Sequence, residues 1–202
     1  MNNFPKIIFY KSWIVFLSLT SFILLVPIVE DINALRIITS AVLTMICLSE
    51  INSDVKIRYL FYIQLLVGGL SVVCIWFLFV FPNTSTLLLL EYLFLSVFFK
   101  VAAFATIYKV SKCVQLNIDT IINTIDGYLY LGLFGAAMAS FLDLMCGPAF
   151  KFSIVDVQAH YLENFLYYSF VTLTTIGYGD ITPIANTSKS LLFFWEYLGS
   201  FI

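Results

Sequence analysis

Residues 174–183 read TTIGYGDITP, and this stretch decides the fold of the C-terminal half of the chain. Within it, Gly177 and Gly179 alternate with Ile176 and Tyr178. Glycine adopts a positive φ without a Cβ clash, whereas other residues do so at a cost. An extended segment that aims successive carbonyl groups at one axis needs backbone angles of alternating handedness. We therefore expect positive φ at both glycines, with the Ile176 and Tyr178 side chains pointing away from that axis. An ordinary glycine-rich turn is the alternative.

The composition is that of an integral membrane protein. Of the 202 residues, 61% are hydrophobic and 11% are charged, and the mean hydropathy is +1.00. Soluble proteins carry about 25% charged residues. The net charge is −2 and no basic stripe occurs, so we expect no nucleic-acid partner. We find no nucleophile–base pair, phosphate loop or metal cluster, and therefore expect no enzyme. Four isolated cysteines are predicted to be small core residues: Cys47, Cys74, Cys113 and Cys146.

The apolar segments predict an all-α integral membrane fold with six transmembrane helices. A hydrocarbon core of about 30 Å needs roughly 20 apolar residues per helix. Leu162–Thr174 is too short to span and directly precedes the glycine-rich stretch, so we predict a re-entrant helix there. Irregular backbone at membrane depth is tolerated where it is buried in protein or lines water. The six predicted spans are Trp13–Val29, Ala34–Ile51, Tyr59–Phe81, Thr86–Val110, Ile121–Cys146 and Ser188–Ile202.

The lysines and arginines indicate the orientation, because cytoplasmic loops carry an excess of them. Six of the ten cations fall on one side: Lys6, Lys11, Lys56, Arg58, Lys109 and Lys112. This places the N- and C-termini in the cytoplasm and the glycine-rich stretch outside. We divide the chain into a four-helix N-terminal membrane domain, residues 1–112, and a second domain, residues 113–202.

From about Asn117 onward, the sequence resembles the pore module of bacterial potassium channel family proteins: outer helix, pore helix, selectivity filter and inner helix. Residues 164–180, NFLYYSFVTLTTIGYGD, are similar to the family's pore-helix and filter pattern throughout. The resemblance implies that backbone carbonyls from four chains replace the hydration shell of K⁺. It implies a homotetramer in the plasma membrane, in contact with lipid, with K⁺ as the permeant ion and no cofactor. The implied filter comprises Thr175, Ile176, Gly177, Tyr178 and Gly179, with the first four carbonyls and the Thr175 hydroxyl as ion ligands.

The resemblance also implies residues that support the filter. Tyr167 and Tyr168 stand where such channels carry aromatic side chains behind the filter. Related channels often have a tryptophan at the position of Tyr167 that bonds the filter aspartate, here Asp180, and a tyrosine hydroxyl can donate the same bond. Glu196 is expected to support the pore helix from the inner helix, or to line the cavity and attract cations. Gly199 stands at the spacing of a hinge glycine, with close helix packing as the alternative.

Two features depart from the family pattern. The predicted inner helix, residues 188–202, covers only about 22 Å at 1.5 Å per residue. We interpret this as a natural short form or a truncated chain that lacks the usual inner gate. Helix four carries only Lys100 and Lys109, although each charge moved contributes about 2.3 kcal/mol per 100 mV. We therefore expect weak voltage sensitivity, and an ion pair of Lys100 with Glu91 or Glu50.

The sequence favours a potassium-selective channel as the function. The first alternative is a non-conducting or modulatory truncated subunit, which the short inner helix would fit. The second is the membrane subunit of a potassium uptake transporter, although such proteins carry four degenerate filter loops in one chain and no internal repeat occurs here.

Overall fold

The computed structural model describes residues 4–29, 31–49, 58–82, 84–113, 117–153 and 161–199. Within these ranges the chain is helical apart from turns, loops and one two-stranded sheet. The elements, in chain order, are α1 (Phe4–Leu25), α2 (Ile32–Ser49), α3 (Arg58–Val80), α4 (Ser85–Ser111), α5 (Ile118–Cys146), β1 (Phe150–Phe152), α6 (Tyr161–Leu173), β2 (Ile181–Pro183) and α7 (Asn186–Gly199).

The helices coincide with the predicted segments, and the largest difference is at the start of α1. This helix begins at Phe4 rather than Trp13. Pro5 is tolerated there because the first turn of a helix does not use its amide groups. Hydropathy predicts where a helix would enter the hydrocarbon core, not where the helix begins. Lys6 and Lys11 lower the hydropathy of the first turns of α1, although these turns are helical. The re-entrant helix α6 is displaced by one residue from its prediction. The sheet was not predicted.

Three of the described helices are long and apolar enough to cross a membrane: α3 over Tyr59–Val80, α4 and α5. The described apolar stretches of α1 and α2, Ser12–Leu25 and Ile32–Cys47, are shorter, and α7 has 14 residues. Six membrane crossings therefore stay a prediction. Side chains on the outward faces of the helices, such as Leu66 and Trp76, are large, apolar and exposed.

The helices pack in sequence from α1 to α6, and α1 also contacts α5. The ring centroids of Phe99 on α4 and Tyr130 on α5 lie 6.4 Å apart. Gly127 brings the same two helices close, since a Cβ there would lie 3.5 Å from Ile107 Cγ1. One hydrophobic core continues from the first four helices into α5 and α6. The predicted boundary at residue 112 is therefore not marked by a break in the core.

The cysteine prediction is wrong for two of the four residues. Cys74 is buried and Cys47 is half-buried, as expected for small core side chains. Cys113 and Cys146 are exposed. Cys113 follows the last turn of α4 and Cys146 ends α5, so both lie where helices reach the surface.

The predicted ion pair between Lys100 and Glu91 is not formed. The two residues are nine positions apart on α4, or roughly 13 Å along its axis, which is too far for an ion pair. Glu91 is buried and lines a cavity together with Arg36 of α2. The Lys100 ammonium instead lies 6.0 Å from the centroid of the Phe134 ring, at the limit of a cation–π contact. Glu50 lies outside the described residues.

Candidate functional site

The backbone of the segment after α6 alternates in handedness. φ is +59° at Thr175, +56° at Gly177 and +76° at Gly179, whereas Ile176 and Tyr178 have negative φ. A Cβ added at either glycine would meet no atom within 4 Å, so glycine is needed there for its backbone angle and not for space. The alternation that the sequence predicted is therefore present, with one residue more than expected.

That extra residue is Thr175. A β-branched residue at positive φ is rare and costs energy, and such strain concentrates at functional sites. Its amide donates to the carbonyl of Thr172 at 2.9 Å, which holds the residue at the end of the helix. No local sequence signal predicts this conformation, because threonine disfavours it.

The base of the segment is joined to the last turn of α6. The carbonyl of Val171 accepts hydrogen bonds from the amides of Ile176 at 3.1 Å and Gly177 at 3.3 Å. The last carbonyls of a helix have no partner within it, and here the following segment supplies one. The same end of α6 carries the negative pole of the helix dipole, which favours a cation nearby.

Tyr167 of α6 interacts with the C-terminal part of the segment. The pKa of the Tyr167 hydroxyl is raised to about 12, first by a hydrogen bond to the Asp180 side chain and further by desolvation and by the negative charge of Asp180. The Tyr167 ring also stacks on Tyr178, with centroids 6.4 Å apart and planes at 4°. The side chain of Tyr178 therefore points back toward α6.

Tyr168 lies on another face of α6. It is buried, and its ring packs edge-on against Phe150 of β1 with centroids 5.2 Å apart. Adjacent helical residues do not face the same way. The structure thus places Tyr167 at the segment and Tyr168 in the core behind α6.

The two-stranded sheet holds the C-terminal end of the segment. β1 and β2 are antiparallel, with Phe150 opposite Pro183 and Phe152 opposite Ile181. Beyond the strands, the amide of Ser153 donates to the Asp180 carbonyl at 2.9 Å. The chain is therefore anchored directly after the positive-φ residues.

Residues 124–202 match the sequence model of a family described as ion channel. This part of the chain is therefore similar to an ion channel domain. No match was found among curated proteins or among solved structures. The alternating segment, its helix and its sheet all lie within the ion channel domain.

The helices of the ion channel domain are in close contact behind the segment. The hydroxyl of Ser169 on α6 donates to the Gly132 carbonyl on α5 at 2.7 Å, in a buried position. A Cβ at Gly132 would overlap the ring of Phe170. Ser169 and Gly132 were not predicted from the sequence, where a glycine within the apolar segment of α5 was the available signal.

Two residues of α7, Glu196 and Gly199, were also predicted to be functional. The side chain of Glu196 lies outside the described residues, and its two alternative roles stay predictions. Gly199 is the last residue of α7. Its predicted hinge role is likewise untested.

Proposed function

We propose that this chain is one subunit of a homotetrameric potassium-selective channel that conducts K⁺ passively across the plasma membrane. The observation that supports this most strongly is the alternation of φ at Thr175, Gly177 and Gly179 within the sequence TIGYGD. Alternating handedness directs successive carbonyls to one side, which is the arrangement that replaces the hydration shell of an ion. The ligands are the carbonyls of Thr175, Ile176, Gly177 and Tyr178, with the Thr175 hydroxyl.

Four chains are required because one such segment cannot surround an axis. Closed cyclic symmetry supplies the other three copies. Two large side chains on α7, Phe193 and Tyr197, are 70% and 64% exposed in the single chain. Neighbouring subunits or lipid would cover them. The purified complex is expected to have four times the 23.0 kDa mass of the chain.

The filter faces the outside, and both termini lie in the cytoplasm. This orientation follows from the distribution of lysine and arginine along the sequence. In it, the C-terminal end of α6 points its negative dipole toward the membrane interior, below the filter, where it stabilises an incoming cation.

The selectivity is tested by recording from purified protein in planar bilayers with K⁺ on one side and Na⁺ on the other. We expect a reversal potential strongly displaced toward that of potassium. A reversal potential near zero would rule out a selective filter. An intact tetramer that passes no current would instead favour the modulatory subunit.

Voltage dependence is expected to be weak. Of the charged residues on α4, Lys100 contacts the Phe134 ring and Lys109 donates to Asn123 Oδ1 at 3.3 Å, near the end of the helix. Two cations move too little charge for steep gating. The conductance–voltage relation of the reconstituted channel should be shallow, and a steep curve with several gating charges per subunit would contradict this.

Tyr167→Phe is expected to make the K⁺ current decay faster while the tetramer stays intact. The change keeps the ring that stacks on Tyr178 and removes only the hydroxyl bonded to Asp180. Because the pKa of the Tyr167 hydroxyl is raised, the bond is fully present below pH 10.0 and is lost only as the pH rises through about 12. The difference should therefore be visible at neutral pH.

Tyr62→Phe is the control for this experiment, because Tyr62 lies exposed on α3, away from the filter. Currents of Tyr62→Phe should match the parent. Equal decay in the parent and in Tyr167→Phe would show that the bond to Asp180 does not stabilise the conducting filter.

A further inference from the structure

We propose that Asp143 is a positioning residue for the outer end of the filter, which it holds through the main-chain amides of Ala149 and Phe150, and that Ser188 holds the carbonyl of Ala149 from the opposite side. This clamp of Asp143, Ala149 and Ser188 connects the outer helix, the sheet and the inner helix. The proposal rests on the proposed function, since it concerns how the same filter is kept in its conducting form.

The first half of the clamp is made by the outer helix. Asp143 lies in the last turn of α5, and the chain reverses after Cys146 through Gly147, whose φ is +74°. Asp143 Oδ1 then accepts hydrogen bonds from the amides of Ala149 at 2.7 Å and Phe150 at 3.2 Å. A carboxylate that accepts two successive amides binds them more strongly than a neutral acceptor. The start of β1 is thereby fixed to the end of α5.

The second half of the clamp is made by the chain that follows the filter. The Ala149 carbonyl accepts bonds from the amides of Ile184 at 2.8 Å and Ala185 at 3.2 Å. It also accepts the hydroxyl of Ser188 at 2.8 Å, which shares its proton with the Ala185 carbonyl at 2.9 Å. Ser188 and Ala149 are both buried, at 0% and 1% exposure, so water cannot replace these bonds. The main chain at Ala149 and Phe150 thus joins α5 to the first turn of α7.

The clamp reaches the filter through the sheet. β2 begins directly after Asp180, and its residue Ile181 lies opposite Phe152 of β1. The Asp180 carbonyl accepts the amide of Ser153, immediately beyond β1. Asp180 is therefore held by Tyr167 on the side of α6 and by β1 on the other. Since Asp143 fixes β1, removing its carboxylate releases the second of these two attachments.

The experiment compares channels reconstituted in K⁺-loaded vesicles and measures how fast K⁺ flux is lost after external K⁺ is lowered. We expect Asp143→Ala and Ser188→Ala to lose flux about tenfold faster than the parent, since each removes hydrogen bonds to the buried main chain at Ala149. Raising external K⁺ should slow this loss, because bound ions hold the filter carbonyls in place. A purely structural role in folding would not respond to K⁺.

Two matched controls accompany these variants. Asp143→Asn keeps an oxygen that can accept the two amides but loses the charge, so it should fall between Asp143→Ala and the parent. Ser190→Ala removes a hydroxyl that bonds only within its own helix, to the Asn186 carbonyl at 3.0 Å, and should behave as the parent. The double variant Asp143→Ala/Ser188→Ala should be less than additive, since both side chains hold the same stretch of main chain at Ala149.

A second measurement separates failure of the clamp from failure of the proposed function. Hydrogen–deuterium exchange at the amides of Ile184 and Ala185 should be about tenfold faster in Asp143→Ala, whether or not the protein conducts. If the parent passes no K⁺ but exchange rises, the function is wrong and the clamp stands. The clamp is overturned if Asp143→Ala exchanges these amides at the parental rate. It is also overturned if the variants lose K⁺ flux at the parental rate, or if external K⁺ does not slow their loss. If Asp143→Ala fails to assemble, the test passes to Ser188→Ala. A Ser188→Ala channel that behaves as the parent then overturns the clamp.

Discussion

Gly177→Ala is expected to abolish potassium-selective conduction. Gly177 has φ +56°, and an alanine at this angle costs about 1–2 kcal/mol, a cost that recurs in every subunit of the proposed tetramer. The segment would relieve the strain by rotating the peptide, which turns a carbonyl away from the axis and removes a ring of ion ligands. The measurement is the reversal potential and K⁺ flux of the variant channel in bilayers.

Two other glycines serve as controls, because they distinguish the effect of the backbone angle from the effect of a position within the filter. A Cβ at Gly69 meets no atom within 4 Å, and this residue lies within α3 without a positive φ, so Gly69→Ala should conduct as the parent does. Gly147 has φ +74° and equally open surroundings, but it lies outside the filter. Gly147→Ala should lower stability and leave selectivity unchanged. Parental selectivity in Gly177→Ala would show that the conducting filter has another conformation.

Gly132→Ala is expected to destabilise the channel domain, by about 1–3 kcal/mol per subunit if the core responds as other overpacked cores do. The added methyl group would overlap the Phe170 ring and push α6 away from α5. The buried bond from Ser169 to the Gly132 carbonyl, 2.7 Å long, would lengthen in consequence. Thermal unfolding of the purified protein in detergent should show a lower midpoint.

Gly127→Ala is the matched control on the same helix. Its Cβ would lie 3.5 Å from Ile107, an ordinary van der Waals contact. Alanine is a better helix former than glycine by about 1 kcal/mol, so this variant should be as stable as the parent or more so. If Gly132→Ala and Gly127→Ala unfold at the same temperature, the close approach of α5 and α6 does not contribute to stability.

The sequence predicted those parts of the site in which residue type and backbone geometry are tightly coupled. Positive φ at Gly177 and Gly179 could be predicted because the alternation needs residues without a Cβ. Positive φ at Thr175 could not, since threonine disfavours this angle and only the joint with α6 imposes it. The bond between Tyr167 and Asp180 was predicted from a family resemblance, and the raised pKa of the Tyr167 hydroxyl agrees with it, but its role in supporting the filter stays a prediction.

Long apolar helices were predictable from hydropathy, whereas the sheet and the Ala149 clamp were not. β1 and β2 have three residues each, too few to show an alternating pattern. Asp143 stands at the end of an apolar helix, where a carboxylate usually faces water. Its amide partners become evident only once the chain has turned back through Gly147. The acceptor of the clamp is a main-chain carbonyl, which no residue type reveals.

The bonds at the two ends of the filter segment also restrict how this region can vary in length. At one end the Val171 carbonyl holds the amides of Ile176 and Gly177, and at the other Ile181 pairs with Phe152. One residue inserted or deleted between Val171 and Ile181 would shift the positive-φ positions onto side chains that disfavour them. It would also slip the strand register and turn each residue of β2 to the opposite face. Related chains that have the same two-stranded sheet after the filter should therefore keep this segment at constant length, even where its side chains differ.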